Sequence, residues 1–309
     1  MTPKTINVGG QAVIEGVMMR SPAALAIAVR IPSGEITVKT QKLKDLASRP
    51  KILQLPVIRG VVTLFQALTL GIQALNFSAN QSLEEEEGEL GAGVLTLTIG
   101  FAFVLGIALF VYLPLFLTNL LKDVLPLVAT STVLFNLIDG LLRVMIFLAY
   151  LIGISQIKDL RRVFEYHGAE HKTIYTYENG EDLTVEQAQR YSTLHPRCGT
   201  NFLLIVMLMS ILVFSILRSD APFYIKFASR LVFVPLIAGI SYEIIRFAGK
   251  HQDKTWVRWL TKPGLSLQKI TTKPPSADQL EVAIRALQEV LQMEKDRPDS
   301  TRNAMEVVL

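Results

Sequence analysis

The chain alternates between long apolar runs and short polar segments, and the runs carry most of the information. Four of them, 93–117, 131–154, 201–217 and 227–248, have the length and apolarity of bilayer-crossing helices, which take about 20 residues. A fifth stretch, 57–77, is apolar but interrupted by Arg59, Gln66 and Gln73. It reads as an interfacial or re-entrant helix. Ahead of it, residues 5–40 follow a period of two: INV, QAVIEGVMM, ALAIAVRI and EITVKT, the last two joined across Pro32-Ser33-Gly34. That pattern predicts a small β-structure. Between the second and third apolar runs lies a polar loop, with helical character near 158–178 and 184–193. At the far end, Ser276 caps a predicted amphipathic helix over 277–294, with Leu280, Ile284, Leu287 and Leu291 on one face.

The expected fold is therefore a polytopic α-helical membrane protein: about four transmembrane helices, one interfacial or re-entrant helix and a cytoplasmic β-rich N-terminal element. The expected division is 1–56 (β-rich element), 57–92 (interfacial helix and the acidic linker Glu84–Glu87), 93–154 (spans one and two), 155–200 (polar loop), 201–248 (spans three and four) and 249–309 (tail). Composition agrees. Half of the 309 residues are hydrophobic and 19% are charged, against roughly 25% in soluble domains. The net charge of +4 invites a nucleic-acid reading, but its distribution argues for topology. Lys and Arg number nine in residues 1–60, six in 155–200 and eleven in 246–309, whereas the segments 118–130 and 218–226 carry Lys122, Arg218 and Lys226 alone. With four spans, all the rich segments fall on one side, which is then cytoplasmic, or stromal in a plastid. Membrane lipids are the expected surroundings and nucleic acid is not an expected partner. No apolar leader opens the chain, so no cleavable signal peptide is expected.

Chemistry concentrates in the polar loop. His167-Gly168-Ala169-Glu170-His171 puts two imidazoles at i and i+4, on one face of a helix and within reach of one ion. The pattern H-x-x-E-H is also that of inverzincin peptidases, in which the Glu is the general base. Three of the four histidines lie in this loop, and Cys198, the sole cysteine, follows His195 by three residues. Two short-spaced pairs across a hairpin-sized gap are how four-ligand zinc sites are built. Imidazole with thiolate favours zinc, with iron second, over magnesium or calcium. If His167, His171, His195 and Cys198 all ligate, the site is closed and structural; if three do, a water takes the fourth place and Glu170 can deprotonate it. The plain alternative is a set of interfacial or buried side chains, with Glu170 paired to Lys172 or Arg162. HExxH, the histidine richness of di-iron sites and a P-loop are all missing from the sequence.

Two further places hold polar residues where apolar ones are expected. Asn136, Asp139 and Arg143 share a stripe of span two, with Arg230, Glu243 and Arg246 of span four as candidate partners. They form either a packing clamp or a polar cavity. In GGQAVIEGVMMRSP, Gln11, Glu15 and Arg20 break an apolar run, which alone reads as a bulged edge strand.

That segment, HGAEHK at 167–172, LHPRCGTN at 194–201 and the tail PGLSLQKITTKPPSADQLEVAIRAL together resemble the YqhQ family, a domain of unknown function. The resemblance implies a multi-pass membrane protein, in bacteria or plastids, regarded as a metal-dependent enzyme, and supplies no substrate. It raises Gln11, Glu15 and Arg20 to candidate site residues. The leading expectation is a zinc hydrolase acting on a membrane-associated peptide or lipid, with Glu170 as general base. The rival is a non-enzymatic factor that assembles or inserts other membrane proteins, braced by a closed zinc site. An ion transporter resting on Asp139 and Arg143 is the most distant.

Overall fold

The computed structural model describes residues 6–43, 50–83, 91–217, 220–251 and 254–296; the acidic run Glu84–Glu87 and Arg218 lie outside them. The N-terminal region is a four-stranded antiparallel meander, β1 (Gly9–Val13), β2 (Gly16–Arg20), β3 (Ala24–Arg30) and β4 (Ile36–Lys42), in that order across the sheet. QAVIEGVMM, read above as one strand, is two. Val13 pairs with Gly16 across a tight turn in which Glu15 adopts φ +49°. Gly16 is required there, because a Cβ would sit 2.2 Å from the Ala28 carbonyl oxygen. The cue for the turn is weak in sequence, since Ile-Glu is not a usual turn pair.

Both faces of the sheet are covered, which is why β2 is buried at every position. In β3, Leu25, Ile27 and Val29 point to one face and pack with Leu70 and Ala74 of α1 (Ile58–Gln81). The alanines 24, 26 and 28 point to the other and let two helices come close: α6 (Lys158–Glu178) and α11 (Ala277–Lys295). The tail helix begins with a capping box between Ser276 and Gln279 and buries Leu280, Ile284 and Leu287 on the sheet. Each such side chain contributes about 1.5–3 kcal/mol.

The remaining helices form a bundle. A continuous helical run, Gly93–Val124, comprises α2 (Ala92–Ile107), a π-turn at Ala108–Tyr112 and α3 (Leu113–Val124). After the short α4 (Pro126–Thr130) come α5 (Thr132–Ile154), then α6, α7 (Val185–Gln189), α8 (Gly199–Phe214), α9 (Phe223–Lys250) and α10 (Thr255–Thr271). Among the described residues, four helices are long and apolar enough to cross a membrane: α1, the α2–α3 run, α5 and α9. This set differs from the expected one at two places. The 57–77 stretch extends to a 24-residue helix, because its glutamines do not interrupt helical geometry. The 201–217 stretch yields a 16-residue helix that closes at Phe214. The helix α10 has no counterpart in the sequence reading, since Pro263-Gly264 looks like a breaker. Gly264 serves instead for close packing, as a Cβ there would lie 1.9 Å from Asn201 Oδ1.

The polar stripe of α5 is the bundle's internal clamp. Asp139 Oδ2 accepts from Arg143 Nη2 at 2.8 Å and from Arg230 Nη2 at 3.1 Å. Arg143 also donates to Ser210 Oγ of α8 and, through Nε, to the Phe110 carbonyl in the π-turn. Arg230 donates to Asn136 Oδ1. Both guanidiniums lie about 5 Å over the ring of Phe214. Of the other expected partners, Glu243 pairs with Arg59 at the start of α1.

Because Asp139 and Arg230 are each 1% exposed, removing the carboxylate leaves two cations buried together, a loss of about 3–5 kcal/mol. Asp139→Leu is therefore expected to lower the thermal unfolding midpoint of the detergent-solubilised protein markedly, while Asp123→Leu, exposed at the end of α3, leaves it nearly unchanged.

Candidate metal centre

The helix α6 carries His167, Glu170 and His171 past the edge of β1, and local packing dictates where each ring points. Gly168 lies directly against the segment after α10: a Cβ on it would sit 2.1 Å from the Lys273 carbonyl oxygen. That approach brings the Thr271 carbonyl to His167 Nδ1 at 2.8 Å. On the next turn, His171 Nδ1 meets the Thr193 carbonyl. A carbonyl can only accept, so in both rings the proton is assigned to Nδ1 and the Nε2 lone pair is free. Both lone pairs face Cys198, the N-cap of α8. His167 Nε2 is 3.2 Å from its sulfur, and the ligand atoms of His167, His171 and Cys198 all lie within 4.8 Å of one another. His171 Nε2 is buried without a hydrogen-bond partner. Burial holds the His171 pKa below the ordinary imidazole value, which keeps that lone pair available.

His195 stands beside this group, 5.6 Å ring to ring from His171, but is turned the other way. Its Nδ1 accepts from the Arg197 N–H and its Nε2 contacts Glu178 Oε2 at 3.3 Å. These partners specify the opposite tautomer, with both nitrogens engaged. Gln268 of α10 fixes the backbone of His195 from both sides, accepting from its N–H and donating to its carbonyl, each at 2.8 Å. The structure thus joins three of the four proposed ligands and gives His195 a bracing position. Chain spacing could not separate the two outcomes, because it says nothing of ring orientation.

Glu170 lies 4.0 Å from His167 Nε2 and is 5% exposed. Burial pushes its pKa up, against the pull of His167, His195 and the N–H of Gly10. Gly10 has no alternative, since a Cβ would stand 2.8 Å from Glu170 Cγ. Gln11 and Arg20 line the same cavity of about 550 Å³ as Glu170, His167, His171 and Cys198. Gln11 reaches toward Gly71 of α1, where any side chain would collide with it. Glu15 is elsewhere: it pairs with Arg162 and accepts from Tyr166 Oη, tying the β1–β2 turn to α6. Asp139 and Arg143 belong to the clamp described above, away from this cavity. Lys172, considered as a partner for Glu170, donates instead to the Gln189 and Tyr191 carbonyls. Sequence reasoning missed Thr193, Thr271 and Gln268. The first two act through backbone carbonyls, which leave no trace in residue type. Gln268, a polar residue on an otherwise amphipathic helix, was the available signal.

Two outcomes follow. Gly168→Ala forces α6 off the 271–273 segment and is expected to cost about 1–3 kcal/mol as an overpacking change, seen as a lower unfolding midpoint. Burial also pushes the pKa of His195 down to about 4, from 6.5. The unfolded chain takes up a proton below 6.5 that folded His195 refuses until about 4. Its contribution, of order 3 kcal/mol, is then complete above pH 6.5 and lost as pH falls through that window. A His195→Gln variant should show a shallower loss of stability between pH 6.5 and 4 in thermal melts.

Residues 55–293 match the family model described as a protein of unknown function, DUF1385. The chain is 31% identical over 299 residues to the uncharacterized protein YqhQ of Bacillus subtilis (strain 168), a match that covers 93% of this chain and 92% of that one. No solved structure matches. On the extent of these two matches, the chain belongs to the YqhQ (DUF1385) family, whose function is unknown.

Proposed function

We propose that this protein is a multi-pass membrane protein bearing a zinc-dependent hydrolase site on its cytoplasmic, or stromal, face. Parity of the chain supports the membrane arrangement. Lys42 belongs to the sheet and Ser78, near the end of α1, accepts from the Ile14 N–H on the same sheet. A chain that leaves the sheet and returns to it crosses an even number of times, and irregular backbone does not cross lipid. The stretch that contains α1 therefore begins and ends on the sheet's side, consistent with an interfacial or re-entrant element. The same reasoning pairs α8 with α9, since Cys198 and the sheet-bound α11 lie on one side. The crossing segments are then the α2–α3 run, α5, α8 and α9.

The observation that carries the chemical reading is the convergence of two unprotonated Nε2 atoms and one cysteine sulfur, beside a buried carboxyl group. Two imidazoles whose Nδ1–H groups are anchored to carbonyls are oriented as metal-binding histidines are. The donors are nitrogen and sulfur, which suits zinc. With His195 engaged elsewhere, the set is one short of a closed four-ligand site, as in catalytic rather than structural centres. Zinc bound there would supply Lewis acidity and a water of lowered pKa. Glu170, held above the usual carboxylate range, is suited to take a proton from the attacking water on Oε2 and pass it to the leaving group. His195 and Gln268 hold the 193–198 segment, and through it the Thr193 carbonyl and Cys198, in register with α6.

The test is elemental analysis of purified full-length protein with its variants. About one zinc per chain is expected in the wild type, in Glu170→Gln and in His195→Gln. His171→Ala should lose it, and Cys198→Ser should bind it more weakly. Hydrolytic activity in Glu170→Gln should fall by roughly 10²–10⁴. Wild-type protein without zinc sinks the reading. Full cellular function in Glu170→Gln together with its loss in His171→Ala would favour the assembly factor.

A further inference from the structure

The strand β1 is an edge of the sheet, and the cavity beside the cluster opens directly off that edge. Residues of an antiparallel pair alternate between those bonded across it and those whose N–H and C=O point away. Val13 and Gly16 close a two-residue turn, so Gln11 and Gly9 bond to β2, and Ala12, Gly10 and Val8 point outward. Neighbouring helices take three of the N–H groups along this edge. Ile6 donates to Tyr177 Oη at 3.0 Å, Gly10 to Glu170, and Ile14 to Ser78 Oγ at 3.3 Å. Between them, the N–H groups of Val8 and Ala12 have no partner among the described residues, nor do the carbonyls of Val8, Gly10 and Ala12. All three residues line the cavity.

Two donors and three acceptors, set at alternate residues over about 13 Å, form half of a β-ladder. An extended peptide supplies the other half. A lipid, with its polar groups gathered at one end, does not. The walls of the cavity suit such a strand. On the side to which Gln11 points, α1 presents Leu64, Leu68, Ile72 and Leu75, and on the opposite side stands Glu170. Leu68 and Leu75 are also more than 40% exposed, so the cavity opens to the outside along α1.

We infer that the substrate of the proposed hydrolase is an extended peptide that joins the sheet as a fifth strand, antiparallel to β1, within this cavity. The inference rests on the reading above and names its substrate. Substrate residues opposite Ala12 and Val8 exchange both backbone hydrogen bonds with them. The residue opposite Gly10 finds that N–H already held by Glu170. It donates to the Gly10 carbonyl, while its own carbonyl stays outside the ladder, beside Glu170 and the donor cluster. The peptide bond of that carbonyl is the one cleaved. Water's hydroxyl joins the carbonyl carbon, the C–N bond breaks, and water's remaining proton passes through Glu170 to the amine nitrogen. Directly opposed residues share a face of the sheet, so those opposite Gln11 and Gly9 point to the apolar wall of α1. They are the second residue before the cleaved bond and the first after it, and both should be apolar.

The experiment offers full-length, zinc-analysed protein a proteome-derived peptide library and, separately, nanodiscs of dioleoyl phosphatidylglycerol and dioleoyl phosphatidylcholine. Mass spectrometry reads the products. Cleaved peptides with apolar residues at those two positions are expected, with both lipids intact. The best substrate is then resynthesised with one backbone nitrogen methylated at a time. Methylation of the third residue before the cleaved bond, or of the second after it, should lower kcat/KM about tenfold. At the second residue before the bond and the third after it, whose N–H groups point away from β1, the change should stay under about threefold. Ala12→Pro removes an outward N–H that the ladder with β2 does not use, and should also lower kcat/KM about tenfold, with zinc content unchanged. The methylation series needs no variant and decides the matter should Ala12→Pro fail to fold. A series without alternation overturns the inference, as does full activity in folded Ala12→Pro. Hydrolysed lipid with the library left intact also overturns it, while sparing the hydrolase reading. Hydrolysis of neither, or a zinc-free wild type, overturns the hydrolase reading and the peptide assignment with it.

Discussion

Two backbone carbonyls set the chemistry of this protein. Thr271 and Thr193 come from segments far apart in the chain, yet each fixes one imidazole of α6 by occupying its Nδ1 proton. That choice of tautomer aims both Nε2 lone pairs at Cys198, and the rest of the architecture can be understood as what brings those carbonyls into place. Gly168 removes the one side chain that would hold the Thr271 segment away. Gln268 grips His195 by its backbone and so positions the Thr193 strand of chain. The tail helix α11 and the sheet pack together against α6 and hold it in place.

Long, strongly patterned features were legible in the sequence. The apolar runs, the tail helix with its Ser276 cap and the helical loop around His167 all rest on local periodicity, and the structure places helices there. The N-terminal strands were readable as strands, but not the turn at Glu15, because a left-handed residue of this type carries no sequence mark. The polar stripe of α5 was visible, and its partner Arg230 was among the candidates. Its third connection, from Arg143 to the Phe110 carbonyl, depends on a π-turn that frees a backbone oxygen within an otherwise uniform apolar run.

The candidate site shows the limit of such reading more sharply. Types and spacings assembled His167, Glu170, His171, His195 and Cys198, and the fold does gather them in one region. What spacing could not supply was the direction of each ring. His195 differs from its neighbours in its hydrogen-bond partners, not in its distance along the chain. The glycine motif at the N-terminus behaves likewise: Gly10 and Gln11 face the cavity, while Glu15, four residues on, ties a turn to Arg162.

One dimension ties the centre to its surroundings. The helix α8 begins at the cysteine of the cluster and ends at Phe214, beneath the two guanidiniums of the internal clamp. At 16 residues and a rise of 1.5 Å each it measures about 24 Å, short of a typical hydrocarbon thickness of about 30 Å. In the proposed membrane arrangement, with its far end fixed by buried charges, the short helix draws the cluster toward the level of the lipid head groups. A bilayer that thins locally to match it would bring its cytoplasmic interface level with the cluster. Bilayer thickness would then act on this protein as a physical input, sensed along a single helix whose two ends are the clamp and the site.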